Sequence, residues 1–317
     1  MRVLFIGDVH IKHTNLKELS VLMEALSLID NVDIIVVAGD VLDTHEKIDS
    51  QLLNRAYALI RLLRDIAPTY VLVGNHDYIN NQQFLTTNHW MNGMKEWKNV
   101  IVVDEPVLWD VFAFVPYVYP GRFVEALDRI EWKRARCVFA HQELFGCKMG
   151  AITSTIGDEW HESWPTVISG HIHERQSPQP NVIYPGSVLN HAFGYESQGL
   201  SIFTFRDDDI GEERIPLQIA VKKTIHISTK SQIRFKDLIP SNRFSVAGTE
   251  SEIASFKKSL KYKEMKAQNV KVVFKLTETP IALNTDNQHG LFASILASLV
   301  ARENDIEIER DYKTILE

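Results

Sequence analysis

Five apolar, β-branched runs in this chain each end on residues that bind metals. RVLFIG leads into Asp8-Val9-His10, DIIVVAG into Asp40-Val41-Leu42-Asp43, and TYVLVG into Asn75-His76-Asp77. CVFA leads into His141, and TVIS into Gly170-His171-Ile172-His173. Runs of this kind read as strands buried on both faces, as in a largely parallel sheet. In such sheets the crevice beyond the carboxyl ends of the strands is where ligands bind. Packing alone gives no reason for five strands to deliver Asp, Asn or His at the same end. A two-metal hydrolytic centre does.

The donor set narrows the chemistry. Asp8, His10, Asp40, Asn75, His141, His171 and His173 offer imidazoles, two carboxylates and one amide oxygen, with no thiolate. That mixture suits Mn²⁺, Fe²⁺ or Zn²⁺ better than an all-oxygen cage, with Mg²⁺ also admissible and Mn²⁺ the first expectation. Two such ions can clamp the attacking and leaving oxygens of an in-line phosphoryl displacement. One carboxylate must bridge them, and Asp40, central in the set, is the candidate.

The five segments, in order between residues 8 and 173, resemble the calcineurin-like metallophosphoesterase superfamily, whose pattern is DxH, GDxxD, GNH(D/E), H and GHxH. The resemblance implies a four-layer α/β/β/α sandwich with a small C-terminal β/α cap domain. It places Asp8, His10, Asp40 and His173 on a first metal, and Asp40, Asn75, His141 and His171 on a second. His76 becomes the general acid at the leaving group. Asp43 stands behind it, orienting the imidazole and raising its pKa.

A narrower similarity follows GHIH. Asn181-Val182-Ile183-Tyr184-Pro185-Gly186-Ser187 and then Phe193-Gly194-Tyr195-Glu196-Ser197-Gln198-Gly199 resemble the YPGS…FGE…G stretch of the Mre11/SbcD family of DNA nucleases, over roughly residues 1–205. Leu189-Asn190-His191 departs from that family's pattern, as does Tyr195; both departures are read as leaving the metal site untouched. By this resemblance the chain is a two-metal exo- and endonuclease subunit acting on DNA in repair, recombination or replication. It would work with a Rad50/SbcC-like ATPase, and a homodimer is compatible with the family. A phosphoesterase for a small diester, such as a cyclic nucleotide, is the second reading, and a non-catalytic scaffold of the same fold the third. A protein phosphatase fits less well, since those carry GDxxDRG and GNHE where this chain has Thr44-His45 and Asp77.

Three segments are expected: a catalytic domain over 1–220, a basic cap over 221–280, and a C-terminal helical segment over 281–317 built around LFASILASLVA as a partner-docking candidate. Charge follows that division. The formal net charge is −7, yet residues 221–275 hold 13 Lys and Arg against 4 Asp and Glu, while 1–220 hold 18 against 29. A local basic block of this sort is what a phosphate backbone attracts. Lys257, Lys258, Lys261, Lys263 and Lys266 are the candidates for DNA contact, against the plainer reading of a solvated helix face.

Asn15 with Glu18 reads as a helix cap, residues 50–66 as a helix ended by Pro68, and Val100–Tyr119 as strands of a second sheet. Thr249 with Glu252 caps a helix containing Ile253, Phe256 and Leu260. No window approaches twenty apolar residues and no signal peptide is apparent, so an intracellular protein without a membrane partner is expected, in an infected host cell if the source is viral. His13, His45, His89, His161, His226 and His289 are read as structural and His191 as a loop histidine within reach of substrate, and Cys137 and Cys147 carry no assigned role.

Overall fold

The computed structural model describes residues 1–45, 47–192, 198–207 and 209–277. The helical segment expected over 281–317 and residues 193–197 of the stretch after YPGS lie outside the described residues. The chain divides into two compact units, with the division at Thr224/Ile225 rather than at 220/221.

In the first unit the strands, in chain order, are β1 (Arg2–Ile6), β2 (Ile34–Val37), β3 (Thr69–Leu72), β4 (Val100–Val103), β5 (Val107–Trp109), β6 (Phe112–Phe114), β7 (Cys137–Ala140), β8 (Lys148–Met149), β9 (Ile152–Thr153), β10 (Thr166–Ser169), β11 (Gln176–Gln179), β12 (Val182–Tyr184), β13 (Gly199–Arg206) and β14 (Asp209–Pro216). One six-stranded sheet runs β14-β13-β1-β2-β3-β4, and a second runs β11-β12-β10-β7-β6-β5. β1 to β4 are parallel, with β4 at one edge, as are β12, β10, β7 and β6; antiparallel strands close the other three edges. The strand-rich stretch from Val100 is therefore split. β4 joins the first sheet, and only β5 and β6 belong to the second.

Alternation along each strand builds separate cores on its two faces. Val3, Phe5, Val36, Tyr70 and Leu72 of the first sheet meet Phe112, Phe114, Phe139 and Ile168 of the second in one cluster. Tyr70 and Phe114 stack there at 4.0 Å. Leu4, Ile6, Ile35 and Val37 point the other way, into a core with Leu19, Leu22 and Leu26 of α1 (Leu16–Ser27) and Leu59, Ile60 and Leu63 of α2 (Ser50–Ile66). On the far face of the second sheet, Val138 and Val167 pack with Trp132, Trp160 and α3 (Phe123–Leu127). Each fully buried Phe or Leu in these layers stabilises the fold by about 1.5–3 kcal/mol relative to exposure.

Helix boundaries follow capping chemistry. Asp49 accepts from the N–H groups of Gln51 and Leu52 at the start of α2, and the residue before Pro68 is extended. Asn15 differs from its expected role. It precedes α1 but makes no cap bond. Its Nδ2 donates to the His10 carbonyl at 2.9 Å, and its Oδ1 accepts from Lys12 N at 3.0 Å. A buried carboxamide is better satisfied by two orphan groups of the preceding loop than by a helix end open to water.

The second unit holds β15 (Lys223–Ser228), β16 (Asn242–Gly248), and β17 (Lys271–Leu276) as a three-stranded sheet, with α4 (Glu250–Lys258) and α5 (Leu260–Ala267). β15 begins just before the division at Thr224/Ile225. Phe244, Val246, Phe256 and Met265 form its core. The Thr249–Glu252 capping box is present. Leu260 departs from expectation: it lies outside the Thr249-capped helix, opening α5, and is 77% exposed. Ser259 is extended and caps a new helix by accepting from Tyr262 N, so the apolar stripe of Ile253 and Phe256 does not continue to Leu260.

Candidate metal centre

β1 and β2 stay paired past their apolar runs: His10 N donates to Asp40 O at 2.9 Å and Ile11 N to Val41 O at 2.8 Å. The Asp8–His10 and Asp40–Asp43 segments therefore lie side by side. Two glycines let the next segment approach. A Cβ on Gly74 would stand 2.2 Å from Asp40 Oδ1, and one on Gly39 would stand 2.7 Å from His141 Nδ1. Gly39 also has φ +94°, a conformation that side chains rarely adopt. Three donor residues share that half of conformational space without being glycine: His10 (φ 43°), Asp40 (φ 50°) and His171 (φ 75°). Local strain of about 1–3 kcal/mol at each is the sort that surrounding structure must hold in place.

All seven expected donors converge. Donor atoms of Asp8, His10 and His173 lie within 4.8 Å of one another, as do those of Asp40, His141 and His171. Asn75 Oδ1 is 2.9 Å from His141 Nε2 and 2.9 Å from His171 Nδ1. Asp40 sits between the two groups with one oxygen toward each: Oδ2 is 3.4 Å from His10 Nε2, and Oδ1 is 3.4 Å from His141 Nε2.

Several donor atoms crowd one another. His141 commits Nδ1–H to the Ala38 carbonyl at 2.5 Å, and its Nε2 lies 2.9 Å from Asn75 Oδ1. His10 Nε2 and His173 Nε2 confront each other at 3.0 Å. The local field favours positive charge here. Against the lowering effect of burial, Asp40 and Asp8 push His141 up to about 9. Asp43, Asp40 and Asp8 likewise raise His10 against its burial. Burial and the neighbouring His141 bring His171 down to about 4, and burial with His10 lowers His173. Each half thus contains one imidazole drawn toward positive charge and one kept neutral, with its lone pair available. The donor chemistry fits two divalent cations sharing Asp40.

Asp8 accepts the His171 N–H with both oxygens, at 3.0 and 3.2 Å. Asp77, unassigned in the sequence, is buried and binds both loops. It accepts from Trp90 Nε1 at 2.9 Å and Gly74 N at 3.1 Å, with the N–H groups of Val41 and Leu42 at 3.4 Å.

The expected arrangement of Asp43 behind His76 needs correction. His76 Nδ1–H donates to the Asp43 main-chain carbonyl at 2.9 Å, not to its carboxylate. The carboxylate takes Lys12 Nζ at 2.8 Å and stands 3.3 Å from His10 Nδ1. An ammonium is a stronger partner than a neutral ring, and with His10 it holds Asp43 well below the usual carboxylate range despite burial. His76 is correspondingly lowered, not raised: burial dominates over the pull of Asp40, and His10 and His45 add to the lowering. Its ring stacks on His45 at 4.4 Å, so that histidine edges the site rather than filling a core.

His191 also needs correction, because the segment after YPGS does touch the centre. Its Nε2–H donates to the Asp8 carbonyl at 3.0 Å, and its ring lies 4.8 Å from that of His10 and 5.0 Å from that of His173. Contacts of this sort depend on loop conformation, and only the nearness of Lys12, Asp77 and His45 to the motifs hinted at them in the sequence. Asp40, Asn75, His76, His171 and His173 line a cavity of about 360 Å³, with Lys148 and Glu174 on its wall.

Comparison with known proteins places the chain in a family. The family model described as calcineurin-like phosphoesterase (Metallophos) matches residues 1–175. The protein 078R of Invertebrate iridescent virus 3, named as a candidate phosphoesterase, is 42% identical over 333 residues, covering 99% of this chain and 96% of its own. The protein 244L of Invertebrate iridescent virus 6, named in the same way, is 49% identical over 245 residues, covering 74% of this chain and 86% of its own.

Proposed function

Because the chain belongs to the calcineurin-like phosphoesterase family, we propose that it is a two-metal DNA nuclease subunit that hydrolyses phosphodiester bonds. The observation that carries the two-metal part is Asp40, with one carboxylate oxygen facing each donor group. Asp8, His10 and His173 would complete one site, and Asn75, His141 and His171 the other. Divalent cations held there, Mn²⁺ first among them, would supply charge neutralisation on the phosphoryl oxygens and lower the pKa of water. His76 would protonate the departing sugar oxygen from Nε2, since the Asp43 carbonyl occupies Nδ1 and fixes the ring plane.

DNA as substrate rests on the YPGS stretch and on the basic block, and a Rad50/SbcC-like partner rests on the same resemblance. The three cores, one between the sheets and one on each outer face, support the four-layer sandwich that goes with it. The small sheet and two helices of the second unit support the β/α cap. One observation favours the small-diester reading instead. Lys257 lies 4.7 Å over the Phe274 ring and Lys266 lies 5.8 Å over Tyr262, so part of the basic block is engaged within its own unit.

The test is Mn²⁺-dependent cleavage of a labelled DNA duplex, beside turnover of bis(p-nitrophenyl) phosphate, by the wild-type protein and His76→Ala. A general acid of this kind contributes roughly 10²–10⁴-fold with a poor leaving group. The variant should lose that on DNA, retain its metals, and lose far less on the nitrophenyl ester. DNA cleavage at the wild-type rate would remove His76 from the mechanism. Ester turnover with intact DNA would move the substrate to a small diester.

A further inference from the structure

We propose that Lys148 is a substrate-positioning residue that takes a second phosphate, the one next to the phosphate being cleaved. The proposal rests on the phosphodiesterase reading above and extends it to substrate class: a polynucleotide, or a nucleotide bearing a neighbouring phosphate, in preference to an isolated diester.

β8 and β9 form a two-stranded sheet of their own, with Lys148 opposite Thr153 and Met149 opposite Ile152. The base of this hairpin is tied down by Ser154 N donating to Cys147 O at 2.8 Å, and by Ser154 Oγ on Glu143 Oε1 at 2.5 Å. Its tip buries nothing: Met149 is 39% and Ile152 67% exposed. Even so, Lys148 is gripped at two points. Its N–H donates to Gln176 Oε1 at 2.7 Å, and Gln176 Nε2 donates to its carbonyl at 2.8 Å. The Gln176 carboxamide imitates a neighbouring strand and fixes one residue of a hairpin that contributes no core. Core stability therefore gives no reason for the clamp, whereas the position it fixes is on the wall of the metal-centre cavity.

Among the described residues Lys148 is the only lysine or arginine lining that cavity, and it has no ion-pair partner there. The cleaved phosphate belongs on the cations held by Asp40 and its neighbours. A lysine on the wall suits an adjoining phosphate, because its flexible ammonium donates to phosphate oxygens in many orientations.

The experiment uses thymidine p-nitrophenyl phosphates, esterified at O5′ or at O3′, each with and without a phosphate on the other hydroxyl, in Mn²⁺ at low salt. Wild-type protein should show a KM lower by roughly fivefold for the phosphorylated member of one pair, with kcat little changed. Lys148→Gln should abolish that preference and Lys148→Arg should keep it. Lack of preference in wild type, its persistence in Lys148→Gln, or an equal loss on both members of a pair would each overturn the role of Lys148. Intact preference in a protein that leaves DNA uncut would overturn the polynucleotide reading alone. Failure to hydrolyse any of the four esters would overturn both.

Discussion

Two stretches of the chain, one in the first unit and one mostly in the second, carry opposite charge and use their charged side chains in opposite ways. Residues 1–220 hold 18 Lys and Arg against 29 Asp and Glu, and residues 221–275 hold 13 against 4. In the first unit the decisive groups are turned inward onto one another: Asp8, His10, Asp40 and His141 are all buried, with His10 Nε2 3.0 Å from His173 Nε2 and His141 Nε2 2.9 Å from Asn75 Oδ1. In the second, the lysines of α4 and α5 stand outward, lie over aromatic rings of their own unit, or bond its backbone, as Lys261 does with Ser231 O. Density of charge is visible in either stretch, but it commits the second to no particular chemistry. Convergence does commit the first, because polar groups brought together without water must be compensated.

The strongest way to break this contrast is to remove the group on which convergence depends. Asp40→Ala should lower bound metal well below two ions per chain. It should also cut phosphodiester turnover by far more than the roughly hundredfold typical of a residue that only supports a ligand. Metal content by elemental analysis, read beside turnover, decides it; two retained ions would mean the carboxylate does not bridge. A smaller but still large effect is expected one layer out. Asp77→Ala would leave Trp90 Nε1 and Gly74 N without their acceptor in a buried place, costing about 2–4 kcal/mol. Thermal unfolding measures this, and an unchanged Tm would show that the loops hold themselves. The mildest prediction belongs to the second unit. Charge reversal at Lys257 and Lys258 should weaken DNA cleavage a few-fold at low salt and leave the nitrophenyl ester untouched, since contacts of this type act through screened phosphate attraction. Equal cleavage by the reversed variant would leave the basic block as solvated surface.

These contrasts also mark what could be read from the residues alone. The strand runs and their terminal donors were legible because buried parallel strands are apolar on both faces and place ligand groups at one end. The helix over 50–66 and the Thr249–Glu252 cap were legible because capping is local. Asp43 was not, because choosing between its carboxylate and its carbonyl for His76 depends on where Lys12 arrives, from the loop after β1, 31 residues earlier. Asn15 was misread for a similar reason, its carboxamide satisfying the loop before it rather than the helix after it. His45 and His191 looked like ordinary loop histidines, and only the folded loops bring them to within 5 Å of the rings of His76 and His10. At Ser259 a side chain able to cap the following turn split what periodicity alone presented as one helix.

The left-handed backbone at His10, Asp40 and His171 has a consequence for anyone wishing to move this centre to another protein. Copying seven side chains onto a regular sheet would transfer the inventory and lose the aim, since an ordinary strand end points those groups elsewhere. The transferable part is the bent main chain together with Gly39 and Gly74, which make room for it. A transplant lacking those kinks should collect metal loosely and indiscriminately. One that keeps them would need a host stable enough to hold three uncomfortable residues before the first ion arrives.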